Sequence, residues 1–395
     1  MSTPKIYLKP GKEQSIQRFH PWIFSGAVKK IEGNPADGDV VEVYSDTNNF
    51  LAIGHYQQSS ITVRILDFNK NEITQQFWQN KIKEALTLRR SIGLYPNPDT
   101  NIFRLIHGEG DNLPGLVVDI YGNTAVMQCH SAGMYRSRND IAKAIVAEFD
   151  EEITAVYDKS AGTLNLHENF NPTDKYIVGQ PPAEKVFFEH GCKFEVSWEE
   201  GQKTGFFVDQ RENRKLIEQF AKGRDVLNTF GYTGGFSVYA MHGGANSVVT
   251  VDSSEKAIDL ANRNIELNFP NTALHKGIVA DAFDFLKSSN QKYDLIILDP
   301  PAFAKHTHAI KNALQAYKRL NLAAIRNLKP NGILFTFSCS QVVSRTDFRN
   351  AVFSASAISG RKVSILHQLT QPADHPINIY HPEGEYLKGL VLEVK

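Results

Sequence analysis

Cysteine is scarce in this sequence: three thiols, Cys129, Cys192 and Cys339, in 395 residues. An odd, widely spaced set excludes a disulfide framework and fits a reducing compartment such as the cytoplasm. Cys and His nowhere fall at zinc-ligand spacing, and His306-Thr307-His308 reads as a solvated loop pair, so no metal is expected. Long apolar runs are missing as well. Nothing approaches the roughly 18 apolar residues of a membrane span, and the opening MSTPKIYLKPGKEQ lacks the apolar stretch of a signal peptide. Neither sign of charge is in excess, with 43 basic and 43 acidic side chains. A bulk basic field is therefore excluded, and any contact with nucleic acid must rest on a local patch. Internal repeats and low-complexity tracts are absent too. The remaining composition, 42% hydrophobic and 22% charged, is that of a soluble globular protein, and the length predicts two or three domains.

Hydrophobic patterning divides the chain. Residues 1–75 read as short strands between turns (VKKIEG, DGDVVEVYSD, NNFLAIGHY, ITVRILDF), a small β-rich domain. Residues 76–195 mix helix and strand as an α+β domain. It opens on a helical stretch with Phe77, Ile82 and Leu86 at helical spacing, and LPGLVVDIYGNTAVMQCH predicts a hairpin turning at Tyr121-Gly122-Asn123. Cys129 and Cys192 fall in strand-like segments here and read as packing residues. Residues 196–395 change character: DVLNTF, SVVTVD, YDLIILD and GILFTFS are strands at intervals that each hold a helix. That alternation predicts an α/β domain with a parallel sheet. VSILHQ and YLKGLVLEV fit a closing pair of strands.

In DVLNTFGYTGGFSVYA a strand runs into a turn containing Gly231, Gly234 and Gly235, then into a helix. Such a turn lets backbone approach a ligand and points helix N–H groups at it, although it is not the GxGxxG of dinucleotide sites. The next strand ends in Asp252, where ribose hydroxyls are held in doubly wound nucleotide sites. Asp281 follows a third strand end and serves equally as a helix cap. The fourth strand ends in Asp299-Pro300-Pro301-Ala302-Phe303. Two prolines make a rigid exit that fixes the carboxylate, and Phe303 offers a flat wall for a planar base. Cys339 sits just past the fifth strand, in Ser338-Cys339-Ser340, on the same edge if the sheet is parallel.

The ladder NTFGYTGGF, VVTVD, VADAF, LDPPAF and FTFSCS resembles the Rossmann-like class I S-adenosylmethionine (SAM)-dependent methyltransferases. More narrowly, HPWIFSGAV, LPGLVVDIYG, KTGFFVDQRENR, DPPAF, SCS and ADHPI with YLKG resemble the large-subunit 23S ribosomal RNA methyltransferase I family along essentially the whole chain. The resemblance implies an N-terminal PUA RNA-binding domain, a central α+β domain and a C-terminal Rossmann-like domain that makes 5-methylcytosine. It implies SAM contacts at Phe230, Gly231, Thr233, Gly234, Asp252, Asp281 and, from KTGFFVDQRENR, Gln210. It implies 23S rRNA or a ribosome assembly intermediate as partner, and it implies no membrane. A homodimer through residues 52–67 and the closing strands is compatible with the pattern. In the PUA-like opening, Phe19, Trp22 and Phe24 are expected in the core rather than stacking on bases, and Tyr317-Lys318-Arg319 is expected on a helix facing RNA phosphate or solvent.

Carbon 5 of cytosine is a poor nucleophile, and a thiolate adding to carbon 6 makes it enamine-like. Cys339 is then the nucleophile and Asp299 the group that orients the N3/N4 edge, with Pro300, Pro301 and Phe303 against the base. Many RNA cytosine-5 methyltransferases carry a second cysteine after the strand-four proline, and DPPAF has none, so no residue is assigned to removal of the carbon-5 proton. Two rivals use the same features: a guanine-nitrogen methyltransferase, which needs no thiol, and a non-catalytic RNA-binding assembly factor.

Overall fold

Short alternating strands build the first layer of the structure, a computed structural model that describes residues 3–164 and 171–395. Strands β1 (Lys5–Leu8), β2 (Trp22–Phe24), β3 (Val28–Glu32), β4 (Val40–Tyr44), β5 (Phe50–Tyr56) and β6 (Ile61–Asp67), with the single-turn helix α1 (Gln14–Gln17), form a sheet of order β2-β6-β5-β4-β1-β3. Its inward positions, among them Ile6, Leu8, Val41, Val43, Val63 and Ile65, are buried together. Gly54 is required where β5 meets β6, because a Cβ there would stand 2.3 Å from the Arg64 carbonyl oxygen. Of the three aromatics expected in this core, Phe19 and Phe24 are instead 48% exposed. Phe19 has φ of 64°, a left-handed conformation that turns its ring outward onto Phe68 and Tyr380.

Helix α2 (Gln75–Ser91), capped by Thr74, and α3 (Ala132–Glu148), capped by Ser131, cover a second sheet. It contains β7 (Ile102–His107), β8 (Leu116–Tyr121), β9 (Thr124–Cys129), β10 (Ala155–Asp158) and β11 (Lys175–Val178) in the order β11-β10-β9-β8-β7. Phe77, Trp78, Ile82 and Leu86 of α2 share its core with Cys129, which is fully buried. Beneath them lies a buried ionic group. Arg89 donates two hydrogen bonds to Asp111, one of 2.8 Å, and others to the Arg104 carbonyl at 2.8 Å and the Asp374 carbonyl at 2.7 Å.

After the hairpin of β12 (Val186–Glu189) and β13 (Cys192–Glu195) comes α4 (Arg211–Ala221), then strict alternation. The order is β14 (Asp225–Thr229), α5 (Gly235–His242), β15 (Ser247–Asp252), α6 (Glu255–Asn268), β16 (His275–Val279), α7 (Ala282–Ser288), β17 (Tyr293–Leu298), α8 (Ile310–Asn327), β18 (Leu328–Ser338), α9 (Arg345–Ser359), β19 (Val363–Leu369) and β20 (Lys388–Val394). The sheet order is β16-β15-β14-β17-β18-β20-β19; the first five strands run parallel, and β20 pairs antiparallel with β18 and β19. Reversal of the winding at β14 puts a switch point between β14 and β17, where α/β sheets bind ligands. This is the predicted α/β domain, and its closing strands are the expected pair.

The chain separates into two compact units: residues 1–187, 196–208 and 373–384 form the first, and residues 188–195, 209–372 and 385–395 the second. Among the described residues no helix is long and apolar enough to cross a membrane. Trp22, Trp78 and Trp198, the protein's three tryptophans, all belong to the first unit, so their fluorescence reports its unfolding. Arg89→Met would leave the buried Asp111 carboxylate uncompensated, a loss of about 3–5 kcal/mol. The tryptophan-monitored urea midpoint should fall accordingly; an unchanged midpoint would show that the ion pair does not support this unit.

Candidate active site

The turn after β14 is built from residues in left-handed conformations, strained at the two that are not glycine. Phe230 and Tyr232 have φ of 55° and 43°, and Gly234, which caps α5, has φ of 76°. A Cβ on Gly231 would lie 2.3 Å from Thr250 Cγ2, and one on Gly234 2.9 Å from the Ala261 Cβ. The turn is fixed from both sides: the Gly231 amide donates to the Val251 carbonyl at 3.0 Å and the Tyr232 amide to Asp252 Oδ2 at 3.0 Å. Thr233 is buried and its carbonyl accepts from Asn264 of α6 at 2.8 Å. Asp252 also accepts from the Ser254 amide through Oδ1 at 2.9 Å. Each carboxylate oxygen has two acceptor positions, so a half-buried Asp252 with one backbone donor per oxygen keeps room for a diol.

Asp281 caps α7 through Oδ1, accepting from the Phe283 and Asp284 amides at 2.9 and 3.0 Å. Its side chain is exposed, and the cap uses only one of its oxygens. Phe230, Phe283 and Phe303 form a chain of rings, with centroids 6.5 Å and then 6.1 Å apart. A half-buried carboxylate with spare acceptor positions, a glycine turn and an aromatic wall at adjoining strand ends fit a nucleoside-bearing cofactor.

At the end of β17, Asp299 is half-buried and accepts from Gln210 Nε2 at 3.0 Å through Oδ1. Gln210 Oε1 in turn accepts from Asn213 at 2.6 Å, so the residue expected at the cofactor has its amide engaged in aligning Asp299. Neighbouring Asp209 accepts from the Tyr386 hydroxyl at 2.7 Å. Pro300 is buried, Pro301 exposed and Phe303 half-buried.

The Ser338-Cys339-Ser340 exit of β18 is clamped by α8. Ser338 Oγ donates to the Tyr317 hydroxyl at 2.9 Å, which shares a second 2.9 Å hydrogen bond with Ser340 Oγ. Ser340 Oγ also accepts from the Ala304 amide at 3.3 Å, joining the two strand exits. With both serines held on the Tyr317 side, alternation turns the intervening side chain to the opposite face. Cys339 is half-buried, and its Sγ stands 3.8 Å from the Pro300 carbonyl oxygen. Lys388, directly across from Ser338 in the β18–β20 ladder, donates to the Ser340 and Val343 carbonyls at 2.7 and 2.8 Å.

The structure thus brings Cys339, Asp299, Pro300 and Phe303 to one end of the sheet, with Gly231, Gly234 and Asp252 at the neighbouring strand ends. Tyr317 is a correction: it is fully buried and faces neither RNA nor solvent, whereas Lys318 is half-buried and Arg319 exposed. No helix starts directly after Ser340; α9 begins at Arg345, capped by Ser344. Cys192 is buried, and desolvation pushes its thiol up to about 12; burial raises Cys129 likewise. Sequence reading missed the buried hydrogen-bonding roles of Tyr317, Asn213 and Lys388. The signal for Lys388 was a basic residue at the start of the strand-like run LKGLVLEV. A separate cavity of about 540 Å³, lined by Tyr95, Phe103 and Phe149 among others, belongs to the first unit and contains none of these residues.

A five-strand parallel order with a glycine turn, an acid at the second strand end and a rigid Asp-Pro-Pro exit defines a doubly wound α/β domain suited to a nucleotide-type cofactor. Comparison with known proteins agrees: residues 145–377 match the S-adenosylmethionine-dependent methyltransferase family, and residues 6–68 match the PUA-like domain family. Proteins named ribosomal RNA large subunit methyltransferase I are similar over almost the whole chain. That of Alteromonas mediterranea is 38% identical, covering 99% of this chain and 98% of its own. That of Aeromonas hydrophila is 39% identical, covering 99% of each. A solved structure of a candidate SAM-dependent methyltransferase from Streptococcus mutans shares the fold, with TM-score 0.83 and 24% identity over 99% of this chain and 100% of that one. Another, of a candidate methyltransferase complexed with SAH, gives TM-score 0.84 at 24% identity, covering 99% and 100%. The chain belongs to the ribosomal RNA large subunit methyltransferase I family, and SAM is its cofactor.

Tyr317→Phe removes the hydroxyl shared by two buried serines and should lower stability by about 1–3 kcal/mol. Thermal unfolding of the second unit, followed by hydrogen exchange in β18, measures this. Unaltered protection there would mean that the clamp is not what holds the strand exit.

Proposed function

We propose that this protein transfers a methyl group from SAM to carbon 5 of a specific cytosine in 23S rRNA through a covalent Cys339–cytosine intermediate. One observation carries the reading: a half-buried thiol placed 3.8 Å from the carbonyl that follows Asp299, at the edge of the sheet where the cofactor residues gather. The family to which the chain belongs supports ribosomal RNA as substrate. The PUA-like match over residues 6–68 supports residues 1–75 as an RNA-binding module; a central domain over 76–195, a methyltransferase domain over 196–395 and a cytoplasmic location complete the proposal.

SAM supplies an electrophilic methyl group. Phe230, Gly231, Thr233 and Gly234 would hold it by backbone approach, Asp252 by its ribose and Asp281 near its base, with the aromatic rings as walls. The target cytosine is unstacked from its RNA and enters against Pro300, Pro301 and Phe303. Cys339 gives up its proton, and its sulfur bonds to carbon 6. The electron pair of the 5,6 double bond becomes available at carbon 5, which takes the methyl group. Asp299, aligned by Gln210, hydrogen-bonds the N3/N4 edge and, when protonated, gives N3 a proton as the ring gains the thiolate's electron pair. Removal of the carbon-5 proton by a base then expels Sγ as the thiolate and restores the double bond, while N3 returns its proton to Asp299. An ordinary thiol near 8.5 is only a few per cent ionised at neutral pH, so its surroundings matter.

Cys339→Ala should lower methyl transfer by at least about a thousandfold while SAM affinity stays within about twofold of the parent. Tritium transfer to rRNA and a calorimetric SAM titration measure the two; turnover retained in the Ala variant would remove the thiol from the reaction. Asp252→Ala should raise the SAM dissociation constant about tenfold or more, the cost of lost charged hydrogen bonds, with circular dichroism unchanged. An unaltered dissociation constant would place the ribose elsewhere.

A further inference from the structure

Lys388 is 3% exposed, and among the described residues no other lysine is as buried. It opens β20, the antiparallel strand beside β18, with Ser338 as its cross-strand partner, one residue before the thiol. Two of its three N–H donors go to the carbonyls of Ser340 and Val343, so the ammonium sits inside the turn that leads away from Cys339. Among the described residues no carboxylate lies within ion-pair distance of it; Glu385, nearby in the chain, is engaged with Arg345 at the start of α9. A buried cation bridged only to carbonyls is costly unless an anion forms beside it.

We propose that Lys388 is a positioning residue for Cys339: it fixes the Ser340–Val343 turn and supplies the positive charge against which the Cys339 thiolate forms. The inference rests on reading Cys339 as the nucleophile. In this role the thiol proton leaves to water, and the resulting sulfur anion and the ammonium neutralise one another without further change at Lys388. Burial pulls the Lys388 ammonium down to about 8, while the charge of Cys339 acts in the opposite direction. Other charged or titratable groups around Lys388 and Cys339 are Arg345 of α9 with its Glu385 partner and Tyr317 of α8, which burial keeps protonated; Asp299 precedes Pro300, whose carbonyl lies 3.8 Å from Sγ. A thiolate–ammonium pair therefore requires a pH high enough to ionise sulfur and below the point, about 8, at which Lys388 loses its proton.

The test is the pH dependence of iodoacetamide alkylation at Cys339, read by mass spectrometry of its peptide in the full-length protein without RNA or SAM. Cys129 and Cys192, both buried, serve as internal controls. The wild-type midpoint should lie below about 8.5, the value of an ordinary thiol. In Lys388→Met it should rise by about one pH unit, which slows alkylation at pH 7 about tenfold, and Lys388→Arg should recover most of the loss. A loss of packing alone would not move the midpoint. A wild-type midpoint at or above 8.5, or an unchanged one in Lys388→Met, overturns the proposal. Should the Met variant fail to fold, the wild-type and Arg midpoints decide. Because alkylation needs no substrate, turnover by Cys339→Ala would refute the nucleophile while leaving this profile as a separate result.

Discussion

The hydroxyl of Tyr317 governs the arrangement of the second unit's sheet edge. It joins Ser338 to Ser340, and Ser340 joins the Ala304 amide, so two strand exits are tied through one buried point. None of these bonds touches a reacting atom in the proposed mechanism. Their effect is geometric: with its neighbours fixed on one face, Cys339 is presented on the other, beside the rigid Asp-Pro-Pro exit. Preorganisation of this kind matters because a nucleophile must lie near its reacting carbon before chemistry begins. Phe303 packs tilted against the same tyrosine, ring centroids 4.7 Å apart, so the wall proposed for the base and the mount of the thiol share one support.

The cofactor side is organised by backbone instead. Strained φ angles at Phe230 and Tyr232 cost conformational energy, and close packing of Gly231 against Thr250 and of Gly234 against Ala261 maintains the turn. Asp252 contributes twice, by holding that turn through Tyr232 and by keeping acceptor capacity for a ligand. A carboxylate with both duties explains why the acid falls at the very tip of its strand. Gln210 provides the corresponding connection on the other side, since its amide joins α4 to Asp299.

Much of this was legible in the sequence because strands of a parallel sheet are short, apolar and evenly spaced. DVLNTF, SVVTVD, YDLIILD and GILFTFS became β14, β15, β17 and β18, and strand-end positions followed from their ends. Asp281 was readable as a cap because capping is local, and its cap bonds span two and three residues. Tyr317 was not, because its partners Ser338 and Ser340 are more than twenty residues away and helical spacing cannot distinguish a buried hydroxyl from an exposed one. Lys388 looked like the polar end of a strand; its burial depends on a cross-strand neighbour. The strands β1 and β2, of four and three residues, were too short to carry a periodicity. Phe19 escaped because a left-handed φ reverses the face that alternation predicts.

The account turns on whether sulfur bonds to the base. RNA carrying 5-fluorocytidine cannot lose the substituent at carbon 5, so a thiol that adds to carbon 6 remains attached once the methyl has been transferred. Incubating the full-length protein with SAM and 5-fluorocytidine-substituted 23S rRNA, followed by denaturing electrophoresis and peptide mapping, measures this directly. The account predicts a stable protein–RNA adduct carried by the peptide that contains Cys339. Methyl transfer to the same RNA with no adduct, or with the methyl on a guanine nitrogen, would contradict it.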